Sequence, residues 1–178
     1  MSRYSLHAIG TDRPGIVAGV TGVLADSGCN LEDSRMAILH GQFAIMLVVE
    51  APQRLSLEQL EASFREIQEE LNLMVVIRPL PKQSNVKVSG DTVAVSVHGA
   101  DRPGIVSSIA TRVAELGGNI IDLATHKIEE QGGSSYVLLL TIETTPDCTE
   151  EILSPELDAV ASQLGVSCVV HAGGDELF

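Results

Sequence analysis

Asp12-Arg13-Pro14-Gly15-Ile16-Val17 occurs a second time in this chain, letter for letter, as Asp101-Arg102-Pro103-Gly104-Ile105-Val106. The two copies start 89 residues apart (101 − 12), which is half of the 178-residue sequence. Each copy follows alternating apolar residues and precedes a segment of helical period, as expected for a strand-to-helix turn. We therefore predict a duplication, with a first domain over 1–81, a polar linker over 82–90 and a second domain over 91–178.

The repeated turn has residues that suit the start of a helix. Proline lacks an N–H and has a fixed φ, so we place Pro14 at the first helical position. The carboxylate of Asp12 is then expected to accept hydrogen bonds from the amides of Gly15 or Ile16. Gly28 is the predicted end of this helix. The apolar spacing predicts a buried face made of Ile16, Val17, Val20, Val23 and Leu24.

The remaining pattern of the first half gives the order β-α-β-β-α-β. His40-Gly41 is a tight hairpin turn, and Ser56 with Gln59 forms a capping box at the second helix. The near-continuous apolar run from Phe43 to Glu50 indicates a strand that is central or has an interface on its second face. The predicted strands cover 4–10, 30–39, 43–50 and 73–77. This order is the split β-α-β or ferredoxin-like plan, an α+β fold.

The second half repeats this plan with one insertion. Gly117-Gly118-Asn119-Ile120 matches Gly28-Cys29-Asn30-Leu31 at the same offset of 89. The offset then grows to 94 (Pro146 − Pro52), so we predict five extra residues in the second hairpin, at an exposed tip over 129–133. Ser154-Pro155 is the predicted N-cap and first position of the last helix.

The composition argues against several classes of function. The net charge is −13, and the sequence lacks the clustered Lys and Arg that direct nucleic-acid binding needs. The longest apolar run, Phe43 to Val49, is too short to span a bilayer, and the N-terminus has no signal-peptide pattern. Cys29, Cys148 and Cys168 show no redox or metal spacing, so we expect reduced, structural thiols in a cytoplasmic protein.

The turn is the strongest candidate for a binding site. A helix N-terminus has unpaired amides and a partial positive charge, so it can hold a carboxylate. Gly15 and Gly104 have no Cβ and would let a ligand approach the backbone closely. The alternative is that Asp, Pro and Gly are simply good turn and cap residues, and both interpretations stay open.

Other polar residues of the repeat also have two interpretations each. Asn30 and Asn119 follow the helix, far from the turn of their own unit. They are either turn residues at a helix end or contacts for a ligand in a site that a neighbouring unit completes. Arg13 and Arg102 could bind a carboxylate, although an exposed ion pair with a nearby acid is the simpler expectation.

The sequence contains no recognisable catalytic or metal-binding set. The five histidines lack metal-ligand spacing, and there is no nucleophile–base pair, phosphate loop or HExxH motif. Ser107-Ser108 replaces Ala18-Gly19 on the first helical turn of the second copy, either as ligand contacts or as solvated hydroxyls. We therefore expect no catalytic residues, no metal and no cofactor.

The repeated turn, the helix, the Gly-x-Asn-Leu/Ile segment and the β-β-α-β remainder resemble the ACT domain over the whole chain. Two copies with nothing else attached are similar to the family of glycine cleavage system transcriptional repressors. The resemblance implies antiparallel sheets with helices on one face, and units paired side by side with an amino acid bound near the first turn. The ligand-binding residues it implies are Asp12, Gly15, Ile16, Val17, Asn30 and Leu31, with Asp101, Gly104, Ile105, Val106, Asn119 and Ile120.

The resemblance also implies a function and partners. We expect a non-enzymatic protein that senses an amino acid, glycine or serine, and represses transcription through a separate DNA-binding regulatory protein. The alternative is a structural adaptor whose ACT units bind no ligand. An enzyme fragment is disfavoured, because the chain has no room for a catalytic domain such as that of formyltetrahydrofolate deformylase. Since paired sheets still have exposed edges, we expect a homodimer through a sheet edge or the third strands.

Overall fold

The computed structural model describes residues 1–81, 91–130 and 133–172. The chain divides into two compact units, Met1–Val86 and Lys87–Phe178. The predicted linker over 82–90, part of the predicted hairpin tip and the acidic end over 173–178 lie outside the described residues. The domain bounds therefore stay predictions.

Both units have the predicted order of elements. The first comprises β1 (Ser2–Thr11), α1 (Ile16–Asp26), β2 (Asn30–Leu39), β3 (Gln42–Ala51), α2 (Leu57–Ser63), α3 (Arg65–Leu71) and β4 (Leu73–Pro79). The second comprises β5 (Thr92–Ala100), α4 (Ile105–Glu115), β6 (Asn119–Glu130), β7 (Gly133–Glu143), α5 (Glu150–Leu164) and β8 (Ser167–Ala172). The sheet orders are β2-β3-β1-β4 and β6-β7-β5-β8, and neighbouring strands are antiparallel. The α+β, ferredoxin-like prediction is confirmed.

Each sheet packs one face against the helices of its own unit. Along β1, Tyr4, Leu6 and Ala8 are buried, as the alternation predicts, and they share a core with Phe43 and Phe64. The second unit has a separate core built on β5, β7, α4 and α5. Strand β3 lies inside its sheet, which accounts for its near-continuous apolar sequence. No helix of the described residues is long and apolar enough to cross a membrane.

The motif turn differs from the sequence prediction. Helix α1 begins at Ile16, and its N-cap Gly15 has φ 96° and ψ −14°. In the second copy Gly104 has φ 97° and ψ −9° ahead of α4. These angles match the third residue of a type II turn, where glycine is favoured and proline often precedes it. The placement of Pro14 at the first helical position is therefore wrong, because the proline belongs to the turn and the helix starts two residues later.

The second helix of the first unit is only partly as predicted. The capping box is confirmed by two reciprocal hydrogen bonds: the amide of Gln59 donates to Ser56 Oγ at 3.2 Å, and the amide of Ser56 donates to Gln59 Oε1 at 2.9 Å. The helix is interrupted at Phe64, which separates α2 from α3. The side chain of Phe64 is fully buried in the first core despite the break.

The last helix begins earlier than the sequence indicates. Helix α5 starts at Glu150 after the N-cap Thr149, and Pro155 lies inside it. The predicted start at Ser154-Pro155 is therefore wrong. Acidic residues in the first turn suit the positive end of a helix dipole, and a proline near that end removes few hydrogen bonds.

The two hairpins differ in length by four residues. The first turns at His40-Gly41, with φ 48° and 75°, as predicted. Asn30 pairs with Glu50, 20 positions later, whereas Asn119 pairs with Glu143, 24 positions later. The predicted five-residue insertion in the hairpin is thus wrong by one, because the fifth residue falls after Glu143.

Candidate functional site

The motif turn is open above both glycines. A Cβ placed on Gly15 or Gly104 would have no other heavy atom within 4 Å. The first residue to make an intrahelical hydrogen bond in α1 is Gly19, whose amide donates to Gly15 O at 2.8 Å. The amides of residues 16–18 therefore have no acceptor within the helix. Because glycine has no side chain, an anion could approach these amides closely.

Asp12 lies against the hairpin tip. Its amide donates to Gly41 O at 2.8 Å, which ties the turn to the end of β2 and β3. Within the described residues no side-chain hydrogen bond caps the start of α1. The predicted cap from Asp12 to the amides of Gly15 or Ile16 is therefore wrong. The exposed carboxylate of Asp12 flanks the turn without neutralising its donors.

Both motif arginines bind the C-terminal end of the second helix of their own unit. Arg13 Nη2 donates to the backbone O of Glu70 in α3, and Arg102 Nη1 donates to Leu164 O in α5 at 3.1 Å. The last carbonyls of a helix lack intrahelical donors and carry partial negative charge, so a guanidinium suits them. The expectation of an ion pair with a nearby acid is wrong for both residues.

The predicted contact residues at the first turn differ in exposure. The side chain of Ile16 is buried, so only its amide can face a ligand. Val17 is 41% exposed, which contradicts its predicted burial, since the buried residues of α1 are Ile16, Val20 and Leu24. Ile38 of β2 is 49% exposed and pairs with the buried Phe43, so it lies on the helix-bearing side of the sheet.

Asn30 and Leu31 lie at the other end of α1. The helix has 11 residues, so its ends are roughly 16 Å apart at about 1.5 Å per residue. The structure therefore does not bring these two residues to the turn of their own unit. The same holds for Asn119 and Ile120, which follow α4. The twelve predicted contacts form four separate groups, two in each unit.

The second turn has different neighbours. Asp101 Oδ2 lies 3.4 Å from Lys127 Nζ on β6, and Ser107 Oγ donates to Gly104 O at 3.0 Å. Val106 is half-buried against the second core, in contrast to Val17. The hydroxyl of Ser107 therefore already donates to a backbone carbonyl, and the carboxylate of Asp101 already has a cationic partner.

The Asn that follows each helix is also held differently in the two units. Asn119 Nδ2 donates to Glu143 Oε2 at 3.4 Å, and Ile120 packs against the second core. Leu31 is 43% exposed, and Asn30 is exposed at the start of the edge strand β2. Lys127 was not among the site residues predicted from the sequence. The repeat offset of 89 gives Ile38 as its counterpart in the first copy (127 − 89).

The three cysteine thiols lie in surroundings that disfavour the reactive thiolate. Burial raises the pKa of Cys29 and Cys148, and burial together with nearby Asp158 raises the pKa of Cys168 to about 11. All three cysteines are free thiols. In the described ranges no group of three or more His, Cys, Asp or Glu could hold a metal ion, and no polar or charged side chain is buried.

Two clefts of the first unit lie away from the motif. One, of about 230 Å³, lies between the start of β1 and the end of β4, and is lined by Arg3, Tyr4 and Pro79 among others. The other, of about 240 Å³, lies between α3 and β4 near Arg65 and Gln68. Neither is lined by a motif residue, so the open turn remains the candidate site.

The ACT domain family matches residues 6–78 and 91–171. The chain therefore belongs to the ACT domain family and contains two copies of the domain. The glycine cleavage system transcriptional repressor of Escherichia coli (strain K12) is similar over both copies, with 24% identity over 161 residues, 89% of this chain and 84% of the repressor. A UPF0237 protein of Methanopyrus kandleri is 35% identical over 79 residues, 44% of this chain and 88% of that protein.

The fold of the whole chain is also found in a solved structure. An unknown protein from Galdieria sulphuraria superposes with a TM-score of 0.78 at 22% identity, covering 96% of this chain and 98% of the other. At this identity the likeness shows the shared tandem fold.

Proposed function

We propose that this chain is a non-enzymatic regulatory protein that senses a small amino acid at its motif turn. The observation that carries the proposal is the open, duplicated turn, where amides without helical acceptors lie beside an exposed glycine and an aspartate. Membership of the ACT family supports it, because ACT domains typically bind small molecules such as amino acids. The three free thiols fit the reducing cytoplasm.

The chemistry of the turn suits a zwitterion. The amides of residues 16–18 and the positive end of α1 favour a carboxylate. The carboxylate of Asp12, on the flank of the turn, favours an ammonium group. A ligand with both charges on adjacent carbons satisfies both groups at once, which supports an α-amino acid. Glycine or serine is the simplest candidate, because both carry the two charges on a small frame.

A neighbouring chain can add a contact to the turn. Asn30 and Leu31 lie roughly one helix length from the turn of their own unit. If the β2 strands of two chains pair antiparallel, the first residues of one strand come to lie beside the last residues of the other. Asn30 of one chain would then approach the hairpin end and the motif turn of the other chain. This supports a homodimer with the ligand at its interface.

The downstream partner is proposed to be a DNA-binding regulatory protein, with this chain acting as an accessory transcriptional repressor of the glycine cleavage system. Support comes from the low-identity similarity to the glycine cleavage system transcriptional repressor over both copies. The net charge of −13 disfavours direct DNA contact, which supports a separate DNA-binding protein.

A second candidate is a structural adaptor that binds no ligand. The observation in its favour is that Arg13 and Arg102 both bind backbone carbonyls of their own units. Part of the repeated motif therefore has a purely structural use. On this interpretation the duplicated turn holds the domain together, and only the surface contacts a partner.

Calorimetry and thermal-shift measurements with each of the twenty amino acids test the proposal. We expect saturable heat and a raised melting temperature with glycine, serine or another small amino acid, and no response to the matching amine or carboxylic acid alone. If no amino acid gives heat or a shift, the adaptor interpretation is correct instead.

A further inference from the structure

Ile38 and Lys127 occupy the same position in the two copies. They are 89 residues apart (127 − 38), the same offset as the motif. Ile38 pairs with Phe43, which pairs with Gly10 of β1. Lys127 pairs with Tyr136, which pairs with Gly99 of β5. Each side chain therefore leaves an edge strand on the helix-bearing side, at the end nearest the motif turn.

Because this position is isoleucine in the first copy and lysine in the second, the motif aspartates of the two copies have different neighbours. Lys127 Nζ lies 3.4 Å from Asp101 Oδ2, so the second aspartate already has an ammonium partner from its own unit. At the first turn, Asp12 is exposed and the equivalent Ile38 is an exposed apolar residue that carries no charge. Among the described residues no ion pair to Asp12 is present.

Further differences between the copies point in the same direction. At the second turn Ser107 Oγ donates to the Gly104 carbonyl, and Val106 packs on its own core. Its first-copy counterpart Val17 is 41% exposed. In the second copy the side chains of Asp101, Val106 and Ser107 are thus engaged within their own unit, whereas the first copy leaves Asp12 and Val17 open to a ligand.

We propose that the first turn is the amino-acid site and that Lys127 takes the place of the ligand's ammonium group at the second. This inference rests on the proposed function, and it limits binding to one amino acid per chain. An incoming α-ammonium group would meet a like charge at the second turn, and Asp101 would have to exchange one ammonium for another. At the first turn the equivalent residue, Ile38, carries no charge, so the same group can approach Asp12 without displacing an ammonium group.

The test exchanges the two residues between the copies. Lys127→Ile gives the second turn the residue of the first, and Ile38→Lys does the reverse. Lys127→Arg is the matched control, because it keeps the cation. Both positions are about half exposed, so the melting temperature should stay near that of the parent protein. Sedimentation of each variant checks that the oligomeric state is unchanged.

Calorimetry with the amino acid that binds the parent protein gives the stoichiometry. We expect one ligand per chain for the parent and for Lys127→Arg, two for Lys127→Ile, and loss of binding for a folded Ile38→Lys. Two ligands on the parent, or one on Lys127→Ile, would overturn the inference and leave the proposed function standing. If no amino acid binds the parent or Lys127→Ile, the proposed function fails and the inference fails with it.

Discussion

At the residue scale, the motif arginines join parts of each unit that are distant in sequence. Arg102 Nη1 donates to Leu164 O, 62 residues later. Gly165, the C-cap of α5 with φ 70°, lies directly beneath the guanidinium, and a Cβ there would be 3.1 Å from Nη1. The contact therefore depends on both the arginine and a glycine in the left-handed region.

Arg102→Ala is expected to destabilise the second unit by about 1 kcal/mol, because it removes a charge-assisted hydrogen bond from exposed helix carbonyls. Chemical denaturation followed by circular dichroism measures this loss. Arg102→Lys should recover part of it, since an ammonium still favours the negative end of the helix. A stability unchanged by Arg102→Ala would show that the bond contributes nothing in solution.

The sequence predicts residues whose partners are local, and misses those whose partners are distant. Gly28 has φ 71° at the end of α1, as its position after the last apolar residue indicates. Pro14 was misplaced because proline suits both a turn and a first helical position. The Arg13 and Arg102 contacts, and the Lys127–Asp101 pair, join different elements, so no local pattern shows them.

At the element scale, the first and last strands of each unit approach closely at one glycine. A Cβ on Gly99 would lie 2.5 Å from Val166 Cγ1 and 3.1 Å from its Cα. A Cβ on the equivalent Gly10 would lie 2.7 Å from Leu73 Cδ2. A glycine inside a strand can mark such an approach. The strand pattern itself was predictable from the sequence. The close approach at the glycine was not, because it depends on the position at which the chain leaves the second helix.

Gly99→Ala is expected to destabilise the second unit by about 1–3 kcal/mol, because a rigid branched side chain and the backbone must move. Gly22→Ala is the contrasting variant. Gly22 lies within α1 with no heavy atom within 4 Å of an added Cβ, so alanine should stabilise the first unit by roughly 0.5–1 kcal/mol. Urea denaturation of both variants measures the difference. A neutral Gly99→Ala would contradict the close approach.

At the scale of the whole molecule, the two edges of the first sheet differ. Every residue of β2 is exposed, including Met36 at 47%. The opposite edge, β4, is partly covered, since the amide of Val75 donates to Gln68 Oε1 at 3.1 Å. An exposed edge with apolar side chains is a template for pairing with another strand. We therefore place the proposed dimer contact on β2.

If the proposed dimer pairs through β2, Met36→Glu should convert it to a monomer and weaken amino-acid binding with it, because charge on an edge strand opposes pairing. Met74→Glu is the matched control, as Met74 is an exposed methionine (57%) on β4. Sedimentation velocity over a range of concentrations reports the mass of each variant. A dimer that survives Met36→Glu, or is lost in Met74→Glu, would move the interface elsewhere.

The tandem fold was predictable because the repeat, the hairpin turn and the alternating strands are all local patterns. The motif turn and Asn30 could be predicted from the sequence only as two separate groups, since they lie at opposite ends of α1. The proposal that only the first copy binds a ligand could not come from the motif, because its six residues are identical in both copies. The difference lies outside the motif, at Ile38 and Lys127.

The most direct test of amino-acid sensing is a ¹⁵N–¹H correlation spectrum of the labelled protein during titration with the amino acid found by calorimetry. We predict saturable shifts for the amides of Gly15, Ile16 and Val17, and much smaller shifts for those of Gly104 and Ile105. Unchanged amides at residues 15–17 in the presence of bound ligand would contradict the account.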